Sequence, residues 1–436
     1  MEMLMGVPAL AKIFLLFTLI VALYRLKTPL WLALLLVSGL SGLWYGATGM
    51  RTLRLAGAAA VSGETLFLCA VVVLILGFSN MLSGTGELKR IVAAVSDLLG
   101  NSMHSGAALP ALIGLLPMPG GAIFSAPMVE TACGPDGNQT PEQKTAINHW
   151  FRHIWEYWWP FYPGVILASE LFKVSIWQLF ALHIPLTLTA MAGGYFFILR
   201  GAFPREKAQA APVRGNTARL FRRAVTESAS ILVGIFSIFG IGPILVAAGA
   251  TGISARYWPV ILGMVVGIVW LAIKRKTSLV QVIKMIFTRN QWSMMMMGVA
   301  VMVFKDMLAG VDAFTHIRAD LAACHVPPLV VIAALPFISG MVMGLTIGYV
   351  GASFPLIISL LPAHVIDTPE RFAWLVLAYS FGYVGMLMSP VHLCLILAKE
   401  YFKADFIKTY RCMAAPALLL MAAGICLFML YLRIFR

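Results

Sequence analysis

Long apolar runs recur along this chain, at about 6–24, 29–48, 62–83, 145–168, 176–199, 225–249, 257–273, 291–311, 372–397 and 409–432. A bilayer core about 30 Å thick takes about 20 apolar residues at 1.5 Å each, so runs of this length predict transmembrane helices. A transmembrane β-barrel would instead alternate in segments of about ten residues. Composition agrees: 60% of the 436 residues are hydrophobic and 11% charged, where a soluble domain carries about 25% charge. The expected fold is an all-α polytopic membrane protein of about ten transmembrane helices, which excludes a soluble enzyme. The bilayer is then the first partner. The net charge of +14 marks cytoplasmic loops on such a chain and gives no reason to expect a nucleic-acid partner.

Two further stretches, about 106–130 and 328–361, are broken near their middles. Pro117, Pro119, Gly120 and Gly121 interrupt the first; Gly344, Gly348 and Gly351 interrupt the second. Unwound backbone at membrane depth survives only where protein or a water-filled cavity covers it, so both read as re-entrant hairpins. Met1 to Lys27 lacks a positive n-region and a small-residue cleavage site, and reads as the first membrane helix rather than a signal peptide.

The chain also repeats itself. Pro160, Ile166, Leu167, Ala168, Glu170, Phe172 and Lys173 recur 230 positions later, seven matches in fourteen. Thr140-Pro141-Glu142 returns as Thr368-Pro369-Glu370, Ser125-x-Pro127 as Ser353-x-Pro355, and Phe78-Ser79-Asn80-Met81-Leu82 as Phe304-Lys305-Asp306-Met307-Leu308. The halves are 1–199 and 224–436, joined by a basic linker at 200–223. Each has five spans and a hairpin; five is odd, so the second half is expected upside down. With the linker inside, 21 Lys and Arg fall on the cytoplasmic side and eight outside, leaving Lys12, Arg152 and Lys305 within spans. That bias predicts both termini outside. An inverted repeat with broken helices at matching places is the architecture of secondary transporters, whose sites lie where the repeats meet.

Several residues could carry chemistry. At the hairpin tips, Pro119, Gly120, Gly121 and Ser125, with Thr346, Gly348, Gly351 and Ser353, offer hydroxyls, close backbone approach and inward half-helix N-termini suited to an anion; tight helix packing would use the same small residues. In the fifth apolar segment Arg152 and Glu156 are four apart, as are His149 and His153, so each pair is expected on one helical face as an ion pair or proton relay. An interfacial turn beside a Trp/Tyr belt is the competing account. Asn80 and Asp306 are repeat mates; Asp306 and the neighbouring Lys305 are not expected to pair, because adjacent helical residues diverge. His183 and His392 lie within spans. The six cysteines show no CxxC, and no clustered His spacing appears along the chain, so neither disulfide nor metal site is indicated.

The segments PMPGGAIFSAPM, GxxxGYVGASFP and SPVHLCLILAKEYF (389–402) together resemble the membrane family catalogued as domain-of-unknown-function family 401, over nearly the whole chain. That family is similar to the ion-transporter superfamily of gluconate and dicarboxylate permeases and some cation antiporters. The resemblance implies an elevator-like secondary transporter with two re-entrant hairpins in an inner or plasma membrane, and no particular substrate. The Ser-Asn-Thr tip motif of the dicarboxylate carriers is absent, Gly351-Ala352-Ser353 and Phe124-Ser125-Ala126 standing in its place, so sodium and dicarboxylate binding do not carry over.

The leading expectation is a permease moving a small organic, anionic solute, with no cofactor beyond Na+ or H+ as coupling ion. Arg152 would be the counter-charge, and His153, Glu156, Asp306, His392 and Asn80 the candidates for ion or proton coupling. A cation/proton antiporter is the alternative within carriers. A membrane-embedded enzyme or lipid-handling protein is the alternative from another class, against which no HExxH, GxSxG or paired-aspartate motif lies in or beside a span. A homodimer is an assembly open to the chain.

Overall fold

Inside a bilayer only helices and closed barrels satisfy their own backbone, and every element among the described residues is helical. The computed structural model describes residues 7–100, 103–117, 121–134, 139–203, 216–288, 291–323 and 327–435. The first half comprises α1 (Ala9–Arg25), α2 (Leu30–Trp44), α3 (Gly49–Ala60), α4 (Gly63–Gly84), α5 (Glu87–Leu99), α6 (Met103–Ile113), α7 (Ala122–Cys133), α8 (Pro141–Arg152), α9 (Pro163–Leu171) and α10 (Ile176–Gly193). A π-helical turn at Gly194–Leu199 prolongs α10 to Ala202. The second half comprises α11 (Thr217–Ala247), α12 (Gly252–Arg275), α13 (Leu279–Ile286), α14 (Gln291–Gly310), α15 (Ala313–Ala323), α16 (Pro328–Met343), α17 (Thr346–Leu360), α18 (Arg371–Leu387), α19 (Leu393–Phe402) and α20 (Phe406–Phe435).

Six of these, α4, the extended α10, α11, α12, α14 and α20, are each long and apolar enough to cross a membrane. The chain is a multi-pass helical membrane protein. Five short helices, α3, α5, α13, α15 and the single turn Ala363–Ile366, occupy connections in which the apolar runs gave no element. The basic linker is helical up to Ala202 and again from Thr217; its residues 204–215 lie outside the described residues.

Two expected spans are not continuous. Within 145–168 the helix stops at Arg152 and restarts at Pro163; within 372–397 it stops at Leu387 and restarts at Leu393. Prolines keep either helix from running on: Pro160 and Pro390 have no N–H to give the i−4 carbonyl, and Pro163 sits in the first turn of α9, where none is needed. Glu156 therefore lies in the break and not one turn along a helix from Arg152, which corrects the shared-face expectation for that pair.

Two ion clusters hold the ends of α4 and α12. At one end Glu64 meets Lys305 at 3.1 Å and Arg256 at 3.6 Å, and Arg256 meets Glu170 at 3.4 Å. Lys305 also meets Asp306 at 3.3 Å, contrary to expectation: the long lysine stem swings its ammonium to where two carboxylates compete for it. At the other end buried Glu87 accepts from Ser230 at 2.7 Å, from Lys274 at 2.8 Å, and from Arg275. Burial pushes the Glu87 carboxyl up, but the hydrogen bonds from Lys274, Ser230 and Arg275 outweigh it and hold it below the usual carboxylate range.

Between these clusters the helices pack on small residues. A Cβ at Gly340 would overlap the Gly382 carbonyl of α18, and one at Gly385 the Phe337 carbonyl of α16. Overpacking of this kind costs about 1–3 kcal/mol. Gly385→Ala should therefore lower the unfolding temperature in a thermal melt, while Gly39→Ala, with nothing within 4 Å of its added methyl, should leave it unchanged or raise it slightly.

Candidate functional site

Four interruptions of helix meet at one place: the α6–α7 and α16–α17 tips and the α8–α9 and α18–α19 breaks. All four line a cavity of about 390 Å³, through Pro117 of the first tip, Leu345, Thr346 and Ile347 of the second, Arg152, His153, Glu156, Tyr162, Pro163 and Gly164 of the first break, and Met386, His392, Leu393 and Cys394 of the second. Ser79 and Asn80 of α4 and Gln291 and Met294 of α14 complete the wall. The floor of the site is thus built by both halves of the chain.

Close approach depends on two glycines. Gly164 lets the α17 tip in, since a Cβ there would stand 2.8 Å from the Ile347 nitrogen. Gly121, just before α7, leaves room for the Arg152 guanidinium, whose terminal nitrogens would be 2.5 Å from an added Cβ. Trp150 fixes α8 by donating its Nε1–H to the Ala190 carbonyl at 2.9 Å.

The polar groups are buried and closely coupled. Arg152 is 3% and Glu156 6% exposed. The Thr346 hydroxyl donates to Glu156 Oε2 at 2.5 Å, across the two halves. The Tyr383 hydroxyl donates to the His153 carbonyl at 2.8 Å and that of Tyr379 to the Glu156 carbonyl at 2.5 Å. His153 Nε2 lies 3.7 Å from Glu156 Oε1 and 3.1 Å from His392 Nε2. The rings of His149, His153 and His392 lie in mutual contact, with centroids 4.7–4.8 Å apart. Nothing in the chain spacing revealed this cluster, because His392 joins it from the other half.

The structure thus gathers Arg152, His153, Glu156, Thr346, His392 and Asn80 around one cavity. It leaves other expected residues out of the lining. Ser125 hydrogen-bonds Asn148 Oδ1 at 2.5 Å, and Ser353 gives its proton to the Tyr349 carbonyl of its own helix at 2.6 Å. Gly348 packs against Met343 and Leu30, and Gly351 against Val301. Asp306 belongs to the ion cluster at the end of α4. Pro119 and Gly120 lie outside the described residues. Asn80, whose amide donates to the Met285 carbonyl at 3.2 Å, sits beside Thr288 and Gln291, two lining residues that no repeat or motif singled out.

A family profile described as "Protein of unknown function (DUF401)" matches residues 9–432. Among curated proteins none matches the chain. Among solved structures the chain is similar to that reported as the crystal structure of the Alcanivorax borkumensis YdaH transporter, at 15% identity and a TM-score of 0.47, over 87% of this chain and 88% of that one.

The Thr346–Glu156 hydrogen bond is the direct polar link between the second tip and the first break. Thr346→Val leaves a buried carboxylate without that donor, at a cost of about 1–3 kcal/mol. Ser353→Ala removes only a bond within one helix. Thermal unfolding of the two variants should rank Thr346→Val clearly lower; equal melting temperatures would mean that the carboxylate is satisfied otherwise.

Proposed function

The chain belongs to the DUF401 family, and since that family's description assigns no function we propose one from the cavity: a secondary active transporter for a small organic anion, coupled to H+ or Na+. The observation that carries this reading is the convergence of Arg152 and helix N-termini on one cavity. The first turns of α9, α17 and α19 line it, and the start of α7 lies against Arg152. Each helix N-terminus carries about half a positive charge. Arg152 ends α8, where a cation is favoured, yet its guanidinium lies against the start of α7, where one is disfavoured. Glu156 offsets a single charge, so an anionic solute completes the balance.

The proposal includes the finer architecture. The two tips are read as re-entrant hairpins: α6 and α7, at 11 and 12 residues, are about half the length needed to cross. The halves 1–199 and 224–436 are read as inverted repeats in a plasma membrane with both termini outside, which allows elevator-like movement of the tips and broken helices. A carrier rather than an enzyme is part of the same reading.

A cation/proton antiporter is the second reading, favoured by the buried Glu156 beside His153. Thermal stabilisation of the purified protein by a panel of organic anions, with and without sodium and at two pH values, separates the two. An anion at about a hundred times its dissociation constant should add about 2.7 kcal/mol, and Arg152→Ala should abolish the shift. If no anion acts while sodium or pH alone does, and Arg152→Ala is without effect, the organic-anion reading is wrong and the antiporter stands.

A further inference from the structure

We infer that His149, His153 and His392 form a binding site for a divalent first-row transition ion, with zinc the expected occupant and Glu156 the nearest further ligand. Each histidine offers one ring nitrogen, and these atoms all lie within 4.8 Å of one another. The three side chains are 0%, 2% and 4% exposed. They come from the end of α8, from the break that follows it, and from the break before α19, so the site exists only when the two halves are packed together.

Hydrogen bonding sets the rings for coordination. His149 Nε2 lies 2.9 Å from the Leu387 carbonyl, and His153 Nδ1 2.6 Å from the His149 carbonyl. A carbonyl only accepts, so both of these nitrogens carry the proton. That leaves His149 Nδ1 and His153 Nε2 as bare lone pairs. Metal-binding imidazoles are oriented in this way, the non-ligating N–H being given to a backbone carbonyl. His149 Nδ1 is buried and has no hydrogen-bond partner, an arrangement that disfavours a purely structural histidine cluster and suits one awaiting a cation.

One of the three nitrogen pairs already has the spacing of a coordination shell, while the separations within the cluster reach 4.8 Å, so the rings must close on the ion. Two nitrogens each about 2.0–2.1 Å from a tetrahedral ion are about 3.3 Å apart; His153 Nε2 and His392 Nε2 are 3.1 Å apart. Glu156 Oε1, 3.7 Å from His153 Nε2, is within a small side-chain adjustment of a fourth position. On binding, the His392 Nε2 proton moves to its Nδ1, which is buried without a hydrogen-bond partner, unlike the non-ligating nitrogens of His149 and His153, and no net proton need leave. His153, His392 and Glu156 line the cavity while His149 does not, so the ion would sit in the wall with its open side towards the cavity. Arg152 opposes a cation here and Glu156 offsets it. Three neutral imidazoles suit zinc, cobalt and nickel, and a filled-shell ion imposes no geometry of its own.

The test uses the full-length protein, purified through a tag lacking histidine, stripped with a chelator and titrated with cobalt(II) in the absence of any solute. One cobalt per chain, with the visible absorption of a tetrahedral ion, is expected. His153→Gln and His392→Gln should abolish it, and Glu156→Gln should weaken binding by about ten- to a hundredfold. His183→Gln should not change it, although His183 is also buried with an unpartnered Nε2. Absence of stoichiometric cobalt, or binding that survives both His153→Gln and His392→Gln, overturns the inference. If those variants do not fold, X-ray absorption of the zinc-loaded wild type decides: three imidazole nitrogens are expected, and fewer overturn it. Because no transported solute enters these measurements, they can fail while the anion-carrier reading stands, or hold while it falls.

Discussion

A broken helix inside a membrane leaves up to four carbonyls at one end and four N–H groups at the other without partners, and the lipid supplies none. The architecture around the cavity follows from how this chain meets that demand four times. At the carbonyl ends, side-chain donors do the work. Trp155 and Trp159 give their indole protons to the Ala111 and Leu115 carbonyls at 2.8 and 2.9 Å, and the Tyr162 hydroxyl bonds the Gly114 carbonyl at 2.5 Å, closing the end of α6. Tyr379 and Tyr383 serve the carbonyls beyond α8. Ser389 and Tyr24 serve those of Met341 and Met343 at the end of α16.

The N-terminal ends are treated differently. Those of α9, α17 and α19 line the cavity instead of being buried under donors and acceptors of the protein. At these three helices the electropositive ends are turned inward, while the carbonyl ends of α6, α8 and α16 are covered mainly by tryptophan and tyrosine side chains and that of α18 by His149. That asymmetry adds to the positive field that Arg152 sets up in the cavity.

The two tips were legible in sequence because their cause is local, proline and glycine acting where they stand, whereas the breaks after Arg152 and Leu387 fell inside apolar runs that read as continuous spans. Residue roles at the tips were less so. Ser353 and Thr346 are both hydroxyl residues on the second tip, but a hydroxyl within a helix can give its proton to its own i−4 carbonyl, as Ser353 does, whereas Thr346 begins α17 and reaches Glu156. Position relative to the helix start separates them, and that start is set by Gly344, whose φ of +62° ends α16. The histidine cluster was illegible for another reason. His149 and His153 are visible as neighbours one turn apart, but the third ring is more than two hundred residues away and arrives only through tertiary packing. Repeat mates part company in one place: Asn80 and Asp306 correspond in sequence, yet Asn80 lines the cavity and Asp306 joins an ion cluster at the end of α4.

The division of labour between the halves follows from these contacts. The first half supplies Arg152, His153 and Glu156; the second supplies Thr346 and His392, together with the tyrosines that hold the first break open. Glu156 without Thr346 would be a buried carboxylate short of one donor. The His153 and Glu156 carbonyls without Tyr383 and Tyr379 would be buried acceptors with none, each costing about 1–3 kcal/mol. The dependence runs the other way as well, since the Leu387 carbonyl at the end of α18 takes its partner from His149 and the Met343 carbonyl at the end of α16 from Tyr24. Neither half alone satisfies the groups that its interruptions expose.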